Sequence, residues 1–287
     1  MECAVTLTVV PPLMPGHRFP FARTFACALA VAHGGARMLA AQVAAPAPLV
    51  RARQLVVVTT AGWDTTGGTL RRYVRTGPAG PWRADGPPVL VVVGRSGLAW
   101  AAAGTDDGAN APRKHEGDGR SPAGVFPLDT AFGFAPPDSA GSVHLPYTAL
   151  TGGSECVDDS TSMHYNTIVD RGAVPRVDWA SAERMRDVAG YRLGVIVGYN
   201  ASPVRAGRGS CIFLHVWDGP GSSTAGCTAM DAGVLGAVVR WLDPARRPVL
   251  VQLPEAAYSR LRRGWRLPPL DGRSATRSRP APPPVAR

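Results

Sequence analysis

Lysine is almost missing: of 31 Lys and Arg residues, only Lys114 is a lysine. With abundant Ala, Gly, Pro and Val, this bias reads as GC-rich coding as much as selection for an anionic partner. The formal charge of +10 favours contact with anionic polymers in general, whether cell wall, nucleic acid or membrane headgroup. Cysteine is scarce too. Cys3, Cys27, Cys156, Cys211 and Cys227 are too few and too scattered for a disulfide framework. Their odd number leaves at least one thiol free or paired between chains. Cys156 and Cys211 lie in the domain, Cys3 and Cys27 in the leader, so a Cys156–Cys211 bridge is open to an exported chain, and the sequence does not give the distance that decides it. No run of about 20 uninterrupted apolar residues occurs, so no integral membrane span is expected. Tight CxxC or HxxxH pairs are lacking around Cys211, His215 and Cys227. Neither a metal nor a cofactor is therefore expected.

What is present is a chain of 287 residues with 33 glycines and 28 prolines. That many breakers favours short strands joined by tight turns over long helices. Residues 1–50 read as a leader: after Met14, a basic start with His17, Arg18 and Arg23 precedes "TFACALAVA" and "MLAAQVAAPAP". This suits a secretory signal, although "HGGAR" interrupts it; a disordered, alanine-rich leader is the alternative. Residues 51–256 form the domain, and 257–287 a basic, Pro/Arg-rich tail, loose from Asp271 onward. Strands are expected at 54–60, 69–75, 88–94, 97–102, 142–150, 192–200, 210–217 and 247–253. "LVVVTT" and "GVIVGY" are continuously apolar, as strands buried on both faces are. A helix is expected over Asp231–Asp243, with Asp231 as cap and a stripe of Val234, Leu235, Val238, Trp241 and Leu242. A second is possible over Trp179–Ala189. The fold class is mainly β with a few short helices.

One stretch carries chemistry: "IFLHVWDGPGSSTAGCTAMD", Ile212–Asp231. A strand holds His215, a glycine-rich loop doubles back, and Cys227 follows Gly226. A cysteine nucleophile needs thiolate character, a base, and donors aimed at an oxyanion. His215 is the candidate base, and amides near Gly226 and Cys227 are candidate donors. The positive end of the following helix is expected to lower the thiol pKa. The plain alternative is a buried thiol beside a satisfied core histidine.

"CIFLHVWDGPGSSTAGCTAM" resembles the active-site segment of the YkuD-type L,D-transpeptidases, in a divergent branch with an "IFLH…TAGC" pattern. "QLVVVTTAGWDTTGGTLRRY", "KHEGDGRSPAGVFPL", "ECVDDSTSMHYN", "LGVIVGYN" and "RPVLVQLP" resemble the same branch, in order, across roughly 54–254. The resemblance implies a β-sandwich catalytic domain that transfers acyl groups of peptidoglycan stem peptides through a cysteine thioester. Cys227 would be nucleophile, His215 base, and the amides of Gly226 and Cys227 the oxyanion site. Thr224 would stand where the family has Ser or Thr, with Ser223 beside it at the substrate. The terminal D-alanine leaves, and an amine or water takes the acyl group. Two positions depart from the family: Ala225 and Ala229 replace its histidine and arginine, and the loop is shorter. A wall-peptide-binding module without turnover is therefore a second reading.

Lys114, Glu116 and Arg120 lie in a turn-rich segment that either edges the cleft or serves structure alone. Asp158 binds the ammonium of a diaminopimelate-like side chain or faces water; Asp159 faces water. The C-terminal "RRGWRLPPLDGRSATRSRP" lacks interleaved aromatics beyond Trp265, so no nucleic-acid partner is expected. The whole reads as an exported, monomeric, cofactor-free enzyme of the periplasm or cell envelope.

Overall fold

A computed structural model describes residues 44–101 and 111–270. The proposed signal segment and the tail beyond Leu270 lie outside the described residues. The centre is built from β1 (Gln54–Thr60), all seven residues of which are buried, and β15 (Val249–Pro254), all six buried. They pair in parallel, Leu55 opposite Val249 through Thr60 opposite Pro254. Such continuous Val- and Leu-rich strands need cover on both faces.

Around this pair a sheet grows on both sides. On one side β6 (Ser121–Pro127) joins β15 antiparallel, and β5 (Leu98–Trp100) runs parallel to β6. On the other, β2 (Gly67–Val74) pairs with β1, and β3 (Arg83–Ala84) and β4 (Val89–Val92) pair with β2. Three further strands continue it: β14 (Thr228–Met230), β13 (Phe213–Val216) and β12 (Leu193–Ile196). β7 (Thr130–Gly133) and β8 (Tyr147–Ala149) close the far end. This makes a mixed sheet of 12 strands. A second sheet of three strands sets β9 (Ser154–Val157) between β10 (Ile168–Asp170) and β11 (Ala182–Arg184). The helices are short: α1 (Ala47–Arg51), α2 (Ala232–Trp241) and α3 (Glu255–Leu261). The protein is mainly β, as composition and patterning suggest.

α2 forms where the pattern places it. Asp231 caps it by accepting from the amides of Gly233 (2.8 Å) and Val234 (3.3 Å). Leu235, Val238 and Leu242 are buried beneath it. The possible helix over Trp179–Ala189 does not form. Ala182–Arg184 instead pairs with Val157–Glu155 of β9, and short 3-10 turns follow. The domain also runs past residue 256: Ala257, Tyr258, Leu261, Trp265 and Leu267 are all buried. Apolar side chains at these positions add to the core instead of a tail. At the other end Leu49 is buried, so the domain starts within the segment read as leader.

Candidate active site

β13 and β14 are neighbouring parallel strands, with Leu214 opposite Thr228, His215 opposite Ala229 and Val216 opposite Met230. One step earlier, Cys227 lies beside Phe213, whose amide donates to the Cys227 sulfur at 3.3 Å. Residues two apart on a strand share a face, so Phe213 and His215 both lie on the face of Cys227. The loop thus returns the chain alongside β13, and His215 and Cys227 line one cavity of about 540 Å³.

The cysteine loop is fixed by hydroxyls. Thr224 Oγ1 donates to the Cys227 carbonyl (2.6 Å) and accepts from the Gly226 amide (3.1 Å). Ser121, fully buried, donates to the same carbonyl at 2.7 Å and accepts from the Gly94 amide at 2.9 Å. Gly226 packs on the Arg120 carbonyl, where a Cβ would stand 3.1 Å away. The Gly226 amide, expected at an oxyanion, is therefore already taken by Thr224. An oxyanion role for it requires that bond to yield.

Cys227 is only 5% exposed, and burial pushes its thiol up to about 12. Its Sγ donates to the Cys211 carbonyl at 3.4 Å. The expected help from a helix N-terminus is not supplied: α2 begins at Ala232, and β14 stands between. Three extended residues interpose about 10 Å of strand. His215 faces the opposite influence. Burial lowers its pKa, partly opposed by its bond to Val216 and by Asp218. Nδ1 lies 2.8 Å from the Val216 carbonyl. A carbonyl only accepts, so Nδ1 carries the hydrogen and Nε2 keeps a free lone pair. No hydrogen bond joins His215 to Cys227 among the described residues.

Tyr191 connects the two. Its ring meets the His215 imidazole edge-on at 5.1 Å between centroids. Its hydroxyl donates to Glu183 (2.8 Å), and its ring packs in one buried cluster with Cys227. Burial raises Glu183 in pKa, with Asp158 adding to the effect and Tyr191 opposing it. Asp158 lines the cavity, and its buried Oδ1 has no hydrogen-bond partner. Neither Tyr191 nor Glu183 was legible as a site residue. Both come from the segment around the helix that does not form, and only tertiary packing brings them here.

The remaining sequence candidates separate. Ser223 and Thr224 line the cavity, Ser223 exposed and Thr224 committed to the loop. Lys114 lines it too, but is 4% exposed and bound to Asp118 (2.8 Å) and the His115 carbonyl (2.8 Å). Arg120 does not line it. Its guanidinium turns to the Trp63 and Leu98 carbonyls and to Asp64 at 2.7 Å, so it braces the scaffold. Glu116 lines the cavity, where Tyr165 and Ser210 donate to it. Asp159, exposed in the sequence reading, caps turns at Thr161 and Ala180.

Cys156 and Cys211 form a disulfide with Cα atoms 6.0 Å apart. It ties β9 to the backbone that holds the Cys227 thiol. Cys227 is the free cysteine among the described residues, and none of them groups into a metal-binding cluster. Among them, no helix is long and apolar enough to cross a membrane. Compared with known proteins, the chain matches no family model, no curated protein and no solved structure.

Proposed function

We propose that this chain is an exported cysteine acyltransferase of the L,D-transpeptidase type, acting on peptidoglycan stem peptides. The observation that carries the reading is the placement of Cys227 and His215 on one face of adjacent strands, lining one cavity. The sequence resemblance supplies the reaction, the substrate class and the β-sandwich architecture. A wall with Arg95 as well as Asp158 and Glu183 suits a zwitterionic peptide.

The resting pair is neutral: burial disfavours both thiolate and imidazolium. In this mechanism the thiol turns from the Cys211 carbonyl to His215. Sγ attacks the peptide carbonyl as its proton passes to Nε2. The tetrahedral intermediate collapses to a thioester, and the departing D-alanine amine takes that proton. An acceptor amine or water then attacks the thioester, returning the thiol. Tyr191 positions the pair, its ring edge-on to His215 and packed in the buried cluster that holds Cys227.

The second reading, a peptide-binding module without turnover, is favoured by the high thiol pKa and by the bond that holds Sγ to the Cys211 carbonyl. D-alanine release from a tetrapeptide stem separates the readings. The enzyme releases it, Cys227→Ser does not, and His215→Ala falls by about 10²–10⁴-fold. Peptide binding with no release by the unaltered chain establishes the module instead.

A further inference from the structure

A second concavity, sharing no lining residue with the cysteine cavity, encloses about 970 Å³. Arg75, Arg83, Arg262, Arg263 and Arg266 line it, and no carboxylate among the described residues does. A neighbouring hollow of about 400 Å³ shares Arg75, Pro81 and Arg83 with it and adds Arg53 and Arg246. The groove is therefore continuous and basic throughout. Arg83, Arg262, Arg263 and Arg266 enter no ion pair among the described residues. Guanidinium groups converging without counter-charge repel one another, and an anion between them removes that cost.

The floor is built rather than loose. Arg75 is 8% exposed and donates to the carbonyls of Ala52 (2.6 Å), Leu49 (2.8 Å) and Val50 (2.9 Å). Its guanidinium lies 4.1 Å over the Trp82 ring. Trp82, also lining the groove, buries an indole N–H without a partner.

The same details select the ligand. Single-stranded nucleic acid is held by stacking bases on open aromatic faces. Here Trp82 is buried under Arg75, and Tyr73 is 3% exposed with its hydroxyl donating to the Pro269 carbonyl. Stable binding to a membrane surface adds apolar anchors to basic charge, yet among the described residues none of the exposed large apolar side chains lines the groove. We infer that this groove binds a linear polyanion with regularly spaced phosphate groups and no bases. It would dock the chain on such a polymer, independently of the chemistry at Cys227.

The test uses the full chain with fluorescent inorganic polyphosphate, an oligo(dT) of equal charge and vesicles rich in anionic lipid. Polyphosphate is expected to bind most tightly. The variant Arg83→Glu/Arg263→Glu/Arg266→Glu is expected to lose more than about tenfold in affinity, with a salt slope shallower by about two. All three side chains are exposed, so the variant should keep its melting temperature; a variant that unfolds is replaced by the same positions as Gln. A second variant with Gln at Arg273, Arg277, Arg279 and Arg287 should bind as the unaltered chain does. Four results overturn the inference: no polyphosphate binding, equal or tighter binding of oligo(dT) or vesicles, groove variants that bind normally, or loss of binding in the tail variant.

Discussion

Replacing Cys156 and Cys211 together by alanine removes a bridge between residues separated by 55 positions. Closing a loop of that length in the unfolded chain corresponds to about 4 kcal/mol by the chain-entropy relation. For a domain of this size each kcal/mol shifts the melting temperature by about 2–4 °C, so a fall of about 8–16 °C is expected. The local consequence is as specific. Cys211 sits at a positive φ of 56°, its amide bonded to Asn166 Oδ1 at 2.9 Å and its carbonyl receiving the Cys227 thiol. Untied, this segment no longer covers Cys227, which should react several-fold faster with a disulfide reagent under native conditions. Thermal unfolding by circular dichroism and thiol titration at pH 8 read the two effects. If the variant melts within about 2 °C of the unaltered chain, the bridge does not constrain the domain and the reasoning fails. If melting falls but thiol reactivity stays unchanged, the disulfide stabilises the domain without shielding the site.

Other expectations concern the loop, the base and the core. Ser121→Ala leaves the buried Gly94 amide without its acceptor, so about 1–3 kcal/mol is lost in urea unfolding; an unchanged midpoint contradicts it. Gly94→Ala sets a Cβ 2.3 Å from the Gly119 carbonyl oxygen, a backbone contact that cannot give way, and soluble yield should collapse. Because burial lowers His215, the acid limb of D-alanine release should lie below the ordinary imidazole pKa of about 6.5. The same depression means that the unfolded chain binds the proton more readily. The stability from neutral His215 is full above about 6.5 and lost as pH falls through its folded value; His215→Gln should flatten that part of the pH–stability curve. Tyr191→Phe keeps the ring on His215 but removes the hydroxyl that holds Glu183 at the cavity wall, so kcat should fall while the melting temperature changes little.

The sequence was most legible where local pattern and burial agree. β1 was read to the residue because Leu55–Val58 can only be strand between breakers, and every one of these positions is buried. Asp231 and the stripe behind it specified α2 for the same reason. The cysteine–histidine pair was visible as a strand, a loop and a candidate nucleophile, while the Cys156–Cys211 bridge stayed open because sequence does not give the distance between the two cysteines. What failed depended on distant partners. Trp179–Ala189 has helical spacing, but β9 offers edge hydrogen bonds that Ala182–Arg184 takes instead. β14 is only three residues, recognisable once β13 and β4 flank it. Arg120 has the charge of a substrate ligand, yet Asp64 and two carbonyls far along the chain claim it. The thiol pKa was misjudged because burial, and not the helix, dominates at Cys227.

The central claim is that Cys227 becomes acylated. Intact-mass spectrometry of the chain after brief incubation with a tetrapeptide-stem muropeptide tests it directly, beside Cys227→Ser. The account predicts a mass increase equal to the muropeptide minus D-alanine, present with the thiol and absent with serine. An unchanged mass alongside measurable peptide binding contradicts it and leaves His215 and Cys227 as walls of a binding site.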